Sequence, residues 1–191
     1  MPSFKLFYLF VLLLTALSIQ PLFAVPMDHE INFNVIGQIA RDYQVGSLTI
    51  EVTTNKRIVH LRGVAYTNEN ASKLVQIAAS TAGVNDVDTS QLTLEYGKAP
   101  ASSSILIGKI LGKYIRYDLC EKDRCKIKVV ITRNIVFLSG VLRSPIEAQK
   151  AVCLTSSVKG VHEIVAKFKI AVPYRPRFSA SVFHPIRCIW C

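Results

Sequence analysis

The most reactive side chains in this sequence are five cysteines, an odd number, so at least one must stay free or pair outside the chain. Cys120 and Cys125 lie five positions apart in the polar stretch DLCEKDRCK, which favours a local disulfide over two free thiols. Cys188 and Cys191 form a C-x-x-C motif, but redox catalysis expects that motif at the start of a helix, and here it closes the sequence. We therefore predict a structural disulfide there, which can also involve Cys153. Cys153 itself follows the core face of a helix and is interpreted most simply as a buried thiol.

The histidines offer no metal or catalytic site: His29, His60, His162 and His184 are scattered, and none has metal-ligand spacing with a cysteine or carboxylate. The sequence has no phosphate-binding loop, nucleophile elbow or catalytic triad. We therefore predict no enzymatic activity, no catalytic residue, no metal and no cofactor, and rank a thiol–disulfide enzyme last. His60 lies beside Leu61 on a predicted strand and is expected at a surface or sheet edge.

Cationic side chains are the third kind of chemistry. In ILIGKILGKYIRY, three basic residues lie within about 60° of one another on a helical wheel, and we call them the basic stripe: Lys109, Lys113 and Arg116. Apolar side chains from Leu106 to Tyr117 span roughly 180°, whereas a helix that covers one sheet needs only about 100°. The excess can bury against another domain or lie in a lipid interface beside the stripe. Gly108 and Gly112 form a further face that would allow another element to approach closely.

The first 24 residues have the features of a secretory signal. Lys5 supplies the positive start, Leu6 to Ile19 is an apolar run, and QPLFA ends at Ala24, where cleavage is predicted. The run is shorter than the about 20 residues of a membrane span, although an uncleaved anchor is the alternative. No cysteine lies near the cleavage point, so a lipoprotein is not expected.

An internal repeat organises the rest of the chain. VHLRGV (59–64) lies 77 residues before VFLSGV (136–141), and AGV (82–84) lies 77 residues before KGV (159–161). Between these motifs apolar residues recur at helical spacing, and around them the period changes to two, as in strands. Each copy also opens with an apolar helix. We therefore predict an α+β fold of two tandem αββαβ domains, each with two helices packed on a three-stranded sheet.

Helix start signals support this element order. Ser144 is placed at an N-cap, Pro145 at the first helical position and Glu147 where a capping box needs it, and Thr67 begins the matching helix. The opening helices align at an offset of 71 rather than 77, so the second copy has six extra residues, predicted to fall in DLCEKDRCK. The predicted segments are the signal 1–24, domain 1 at 28–97, a linker at 98–104, domain 2 at 102–173 and a basic aromatic tail at 174–191.

The repeated unit resembles the BON domain, a family named after bacterial osmotically induced and nodulation proteins. The resemblance rests on the strand with Leu-x-Gly-Val, the capped helix after it and the Gly-Val before the last strand. The matching points are Gly63-Val64, Gly83-Val84, Gly140-Val141 and Gly160-Val161. These glycines suit turns with positive φ or close backbone approach. The resemblance covers about 30–97 and 102–172 and implies domains that associate with phospholipid or envelope components, without a catalytic apparatus. A signal followed by two such domains resembles dual-domain envelope proteins of Gram-negative bacteria, which implies the periplasm with peripheral membrane association.

The formal net charge of +10 is divided unevenly. Residues 28–97 carry five Lys/Arg and eight Asp/Glu, a net of −3, whereas 102–173 carry thirteen and five, a net of +8, and 174–191 add +3. Both copies share one core pattern, so the difference indicates that the second copy is specialised for an anionic surface. Nucleic acid is one anionic partner, but an exported protein rarely meets it and none is expected.

We therefore predict a non-enzymatic envelope protein whose second domain binds anionic phospholipid and contributes to envelope integrity or a stress response. The predicted lipid-binding residues are Lys109, Lys113, Arg116, Leu106, Tyr117 and Trp190. Trp190 belongs to the tail, whose interleaved aromatics and arginines suit a membrane interface, while packing along the second domain is the alternative. The alternative function is a protein-interaction module in a periplasmic or outer-membrane assembly.

Overall fold

A computed structural model describes residues 26–121, 124–133 and 135–171. The predicted signal and its cleavage site, the tail with Trp190, and the pair Cys188 and Cys191 lie outside these residues. Inside them the chain forms two copies of an αββαβ unit, which confirms the predicted fold class.

The elements follow the same order in both copies. The first copy has α1 (Asp28–Ala40), β1 (Ile50–Asn55), β2 (Ile58–Ala65), α2 (Asn68–Ser80) and β3 (Asp86–Leu94), followed by a 3-10 turn at Glu95–Gly97. The second copy has α3 (Ser102–Arg116), β4 (Ile127–Thr132), β5 (Ile135–Leu142), α4 (Pro145–Ser156) and β6 (Glu163–Ile170). Helix α3 begins where the predicted linker and second domain overlap.

Each copy has a three-stranded sheet with one covered face. β1 and β2 form an antiparallel hairpin and β3 pairs parallel to β2, and β4, β5 and β6 repeat this arrangement. A parallel pair needs a crossover connection, which α2 and α4 provide. Alternate strand residues, such as Val59 and Leu61 or Val136 and Leu138, are buried in the two hydrophobic cores. The residues between them lie on the opposite, open face of each sheet.

The local signals read from the sequence are found at the predicted positions. Thr67 and Ser144 are N-caps whose side chains accept hydrogen bonds from main-chain amides, and Pro145 is the first residue of α4. The carboxylate of Glu147 accepts from the amide of Arg143, one residue before the N-cap. The glycines of the four Gly-Val motifs all have positive φ: Gly63 (140°), Gly83 (86°), Gly140 (156°) and Gly160 (100°).

The cysteines partly follow the predictions. Cys120 and Cys125 form a disulfide with their Cα atoms 4.6 Å apart, which confirms the local bridge. Cys153 is buried on α4 and is also disulfide-bonded, so its interpretation as a buried thiol is wrong. Its partner is outside the described residues.

The extra residues of the second copy do not all lie in the cysteine loop. Helix α1 ends at Ala40, whereas α3 continues to Arg116, five residues beyond the equivalent position, Leu111. The placement of the insertion in DLCEKDRCK is therefore wrong in part. The apolar period simply continues through Tyr114 and Ile115, so the helix lengthens by more than one turn.

Candidate functional site

Helix α3 is shared between the two copies. Its Gly108 and Gly112 lie against α2 of the first copy, where a Cβ atom on Gly112 would come within 2.5 Å of the Cβ atom of Ala79. On another face Ile110 is fully buried in the second core, while Ile105 packs against the first core. The wide apolar arc is therefore explained by burial against the other copy, one of the two alternatives left open by the sequence.

Tyr114 connects α3 to α4 of the second copy. The side chain is fully buried, and its hydroxyl lies 3.2 Å from the carbonyl oxygen of Ala151 and 2.5 Å from Oγ1 of Thr155. Burial raises the pKa of Tyr114 to about 12, because the phenolate would lose its hydration, while the hydrogen bond with Thr155 acts in the opposite direction.

Two residues of the basic stripe are held by turns at the junction of the copies. Lys109 Nζ lies 2.6 Å from Oδ1 of Asp86, at the start of β3 in the first copy. Lys113 Nζ donates to the carbonyl oxygen and Oγ of Ser157, at 3.1 and 2.7 Å, in the turn after α4. These lysines therefore contact protein groups on both sides of α3.

Arg116, the third residue of the stripe, caps the end of α2. Its guanidinium donates to the main-chain carbonyls of Ala79, in the last turn of that helix, and of Val84, which follows the helix. Burial is the main cause that lowers the pKa of Arg116. The basic stripe thus lies at the junction of the two copies. The hypothesis from the sequence was that it lies in a lipid interface.

The remaining predicted lipid contacts are dispersed. Leu106 packs partly buried against the second core. Tyr117 is about half exposed, and its carbonyl oxygen accepts a hydrogen bond from Lys150 Nζ. Trp190 lies outside the described residues. A role of these six residues in lipid binding stays a prediction, and the structure does not bring the five described ones together on one exposed surface.

Because Lys109 pairs across the junction, its charge reversal should affect stability. We expect Lys109→Glu to lower the free energy of unfolding by about 2 kcal/mol, since it puts a second carboxylate beside Asp86 in a mostly buried position. Adding Asp86→Lys should restore more than half of the loss. Urea denaturation measures both effects, with Lys98→Glu, an exposed linker residue, as the control. An equal, small effect of Lys98→Glu and Lys109→Glu would contradict the pairing.

A different cationic surface lies on the open face of the second sheet. We call it the second open face: Lys128, Val130, Phe137, Ser139, Val141, Val165, Lys167 and Lys169. The strand register aligns Val130, Phe137 and Val165 as an apolar row across the three strands. Val130, Phe137 and Val141 are 40, 38 and 49% exposed, which is high for such side chains in a sheet.

The lysines of the second open face are not paired with a carboxylate among the described residues. Lys128 and Lys167 flank Ser139 in the row beside the apolar row, and Lys169 pairs in register with Val141. Within the part of the chain that the structure describes, these three side chains make no ion pair or hydrogen bond. The only acidic residue placed on this face among those residues is Glu163, at the far end of β6. The surface therefore combines exposed apolar groups with unpaired positive charge.

The equivalent face of the first sheet is neutralised internally. At the positions of the apolar row it carries Thr53, His60 and Asp88, and His60 Nδ1 lies 2.8 Å from the Asp88 carboxylate. The amide of Ser90 and then His60 hold the pKa of Asp88 below its usual value. His60 is thus a surface residue as predicted, but it lies on the central strand and not at a sheet edge.

Another exposed apolar patch lies on α1, where Phe33 is 78% exposed and Ile36 46%. The first turn of this helix carries Asp28 and Glu30, and the copy as a whole is acidic. This patch therefore lacks the charge that would attract an anionic surface.

The described residues contain no group of three His, Cys, Asp or Glu side chains arranged to hold a metal ion. None of the helices they form is both long and apolar enough to cross a bilayer.

Sequence reasoning missed the second open face because period two was used only to find the buried side of each strand. The signal was present in the alternate residues. Across the 77-residue repeat, Thr53, His60 and Asp88 become Val130, Phe137 and Val165. A solvent-facing row that changes from polar to apolar between two copies of one fold indicates a surface with a binding role.

Comparison with known proteins gives one family. The model of the BON domain matches residues 28–96 and 119–172, so the second matched segment begins after α3. No curated protein matches the chain. One similar solved structure is CdsD, a structural protein of the type III secretion system of Chlamydia trachomatis, with 12% identity and a TM-score of 0.30 over 76% of this chain and 64% of that chain.

Proposed function

The chain belongs to the BON domain family, and on that premise we propose that it is a non-enzymatic envelope protein that binds anionic phospholipid membranes through its second copy. BON domains are associated with membrane and phospholipid binding, and their proteins are typically periplasmic or envelope-associated. A contribution to envelope integrity or a stress response belongs to the same proposal.

The observation that carries this proposal is the second open face. Its apolar row can enter the interface between headgroups and acyl chains while the lysines on one side of it reach phosphate groups. The first copy lacks both features, since its matching row is polar and its charges are paired. The proposed membrane contact is therefore a sheet face, whereas the sequence had indicated the first helix of the second copy.

The expected affinity is modest and depends on charge. Each lysine near an anionic membrane contributes about 1 kcal/mol, so three give roughly a hundredfold increase in partition over a neutral surface. The attraction between exposed charges weakens as salt rises, because the Debye length falls to about 8 Å at physiological ionic strength. Binding should therefore be peripheral and reversible.

Liposome flotation of the full chain tests the proposal. We expect the protein to float with vesicles that contain phosphatidylglycerol and not with vesicles of phosphatidylcholine alone. The variant Lys128→Glu, Lys167→Glu, Lys169→Glu should lose at least about a hundredfold in affinity for the anionic vesicles. Its matched control changes three exposed basic residues elsewhere, Arg41→Glu, Lys56→Glu and Lys98→Glu, and therefore has the same net charge.

The outcomes separate the function from the surface. Equal flotation with both lipids, or none with either, rejects phospholipid binding of the proposed kind. Selective flotation that falls equally in the two triple variants keeps the function but removes the second open face as its site. If the membrane contact is at that face, the control triple variant should bind the anionic vesicles nearly as well as the unchanged protein.

The second candidate function is a protein-interaction module in an envelope assembly, favoured by the exposed apolar patch of Phe33 and Ile36 on α1. Crosslinking in the native envelope distinguishes it from lipid binding. A single protein adduct that persists in the Lys128, Lys167 and Lys169 triple variant and is lost in Phe33→Ser would favour this alternative.

A further inference from the structure

A cleft of about 170 Å³ lies where α3 meets two turns, one from each copy. The turn between α2 and β3, with the first residue of β3, contributes Asn85 and Asp86, and the turn between α4 and β6 contributes Ser157 and Lys159. These turns are the same element of the repeated unit, and the basic stripe lies between them. The cleft is therefore created by the packing of the two copies.

Positive charge in this cleft is not balanced. Four cationic side chains line it against the single carboxylate of Asp86: Lys109, Lys113, Arg116 and Lys159. Only Lys109 pairs with Asp86, and the other three make no ion pair within the described residues. Burial, and then repulsion from Arg116, lower the pKa of Lys113. Like charges held together in a confined site indicate a place for an anion.

Arg116 provides a second, independent observation. Its two terminal nitrogens donate to main-chain carbonyls, but its Nε is buried and has no hydrogen-bond partner among the described residues. Buried polar groups in proteins are nearly always paired, and an unpaired donor on a cation is especially unfavourable. Arg116 Nε is therefore a donor for which the described residues provide no acceptor.

We infer that this cleft binds a small oxyanion of the phosphate class, which contacts Lys113, Lys159 and Arg116 and joins the two turns. Lysine and arginine form strong charge-assisted hydrogen bonds to phosphate oxygens. A volume of about 170 Å³ suits one phosphate group and lies below the about 300–1,000 Å³ of sites for larger ligands. The inference is independent of membrane binding, since the second open face is built from other strands.

Isothermal titration calorimetry of the full chain with inorganic phosphate, at constant ionic strength, tests this site. The variant Lys113→Met, Lys159→Met should weaken phosphate binding at least about tenfold, because it removes two charge-assisted contacts. The matched control Lys56→Met, Lys98→Met removes the same charge from exposed positions outside the cleft and outside the second open face, and should keep the dissociation constant within about twofold. Thermal unfolding in chloride shows whether each variant is folded. Replacing chloride by phosphate should then raise the Tm of the unchanged protein and of the control, and should raise the Tm of the cleft variant by less.

Absence of phosphate binding to the unchanged protein overturns the inference. So does an equal loss of affinity in the two double variants, because general electrostatic attraction would respond to both alike. Glycerophosphoglycerol, the soluble headgroup of phosphatidylglycerol, separates the two sources of the ligand. If glycerophosphoglycerol competes with inorganic phosphate, the site exists and a lipid headgroup can occupy it. If inorganic phosphate binds and glycerophosphoglycerol does not, the site exists and its occupant is a free anion.

Discussion

Replacing Gly108 and Gly112 together by alanine is expected to lower the free energy of unfolding by about 3 kcal/mol and to separate the copies into two unfolding transitions. A Cβ atom at Gly108 would clash with the carbonyl oxygen of Ser72, and one at Gly112 would lie 2.5 Å from the Cβ atom of Ala79 and 2.7 Å from the carbonyl oxygen of Gln76. Main-chain atoms of α2 cannot turn aside as a flexible side chain can. The helices must therefore move apart, and the contacts that couple the copies are lost.

Gly37 is the matched control for this experiment. It occupies the position of Gly108 in the first copy, at the 71-residue offset of the opening helices, and a Cβ atom there meets nothing within 4 Å. Gly37→Ala should therefore stabilise α1 by about 0.5–1 kcal/mol through helix propensity alone. Urea unfolding followed by circular dichroism measures the double variant, the single variant Gly108→Ala and Gly37→Ala. If Gly108→Ala and Gly37→Ala change stability in the same direction, the close packing of α3 on α2 is wrong.

Raising the pH from 10 to 12 is expected to destabilise the protein by about 2 kcal/mol through Tyr114 alone. The pKa of this phenol is about 12 in the folded chain, against an ordinary value of 10.0. Over that range the unfolded chain releases the proton while the folded chain keeps it, so the unfolded state gains stability. The contribution is fully present below pH 10 and is lost as the pH rises towards 12.

Tyr114→Phe isolates this effect from other alkaline titrations. The variant should lose about 1 kcal/mol at neutral pH, because the hydrogen bonds of the hydroxyl to Ala151 and Thr155 disappear. The difference between the unchanged protein and the variant should then shrink and change sign as the pH approaches 12. Tyr96→Phe, at a residue that is 95% exposed, should keep the full alkaline loss. A constant difference between the two proteins from pH 9 to 12 would rule out a buried neutral phenol.

Much of the fold could be predicted because its determinants are local. The caps Thr67 and Ser144 and the positive φ of Gly63 and Gly140 depend on residues within one turn or one hairpin. Helical and strand periods then report which side of each element is apolar, and recurrence over 77 residues makes that pattern hard to misread. The disulfide between Cys120 and Cys125 is similarly local.

The candidate site depended on long-range contacts and could not be predicted in the same way. A lysine on a helix has the same pattern whether it meets water, a phosphate group or a carboxylate. Lys109 meets Asp86, 23 residues earlier, and Lys113 meets Ser157, 44 residues later. The basic stripe was therefore correctly identified as a group, but its surroundings were not.

The sequence by itself determined the two αββαβ copies, the uneven charge between them and the glycine face of α3, because each follows from residue type and spacing. Only the tertiary structure decided that this face packs on α2 and that the basic stripe lies at the junction. It also decided that Lys128, Lys167 and Lys169 lie beside an exposed apolar row without an ion pair in the described part of the chain. The physical reason is that periodicity shows which surface of an element avoids water, whereas its partner depends on how elements distant in the chain pack together.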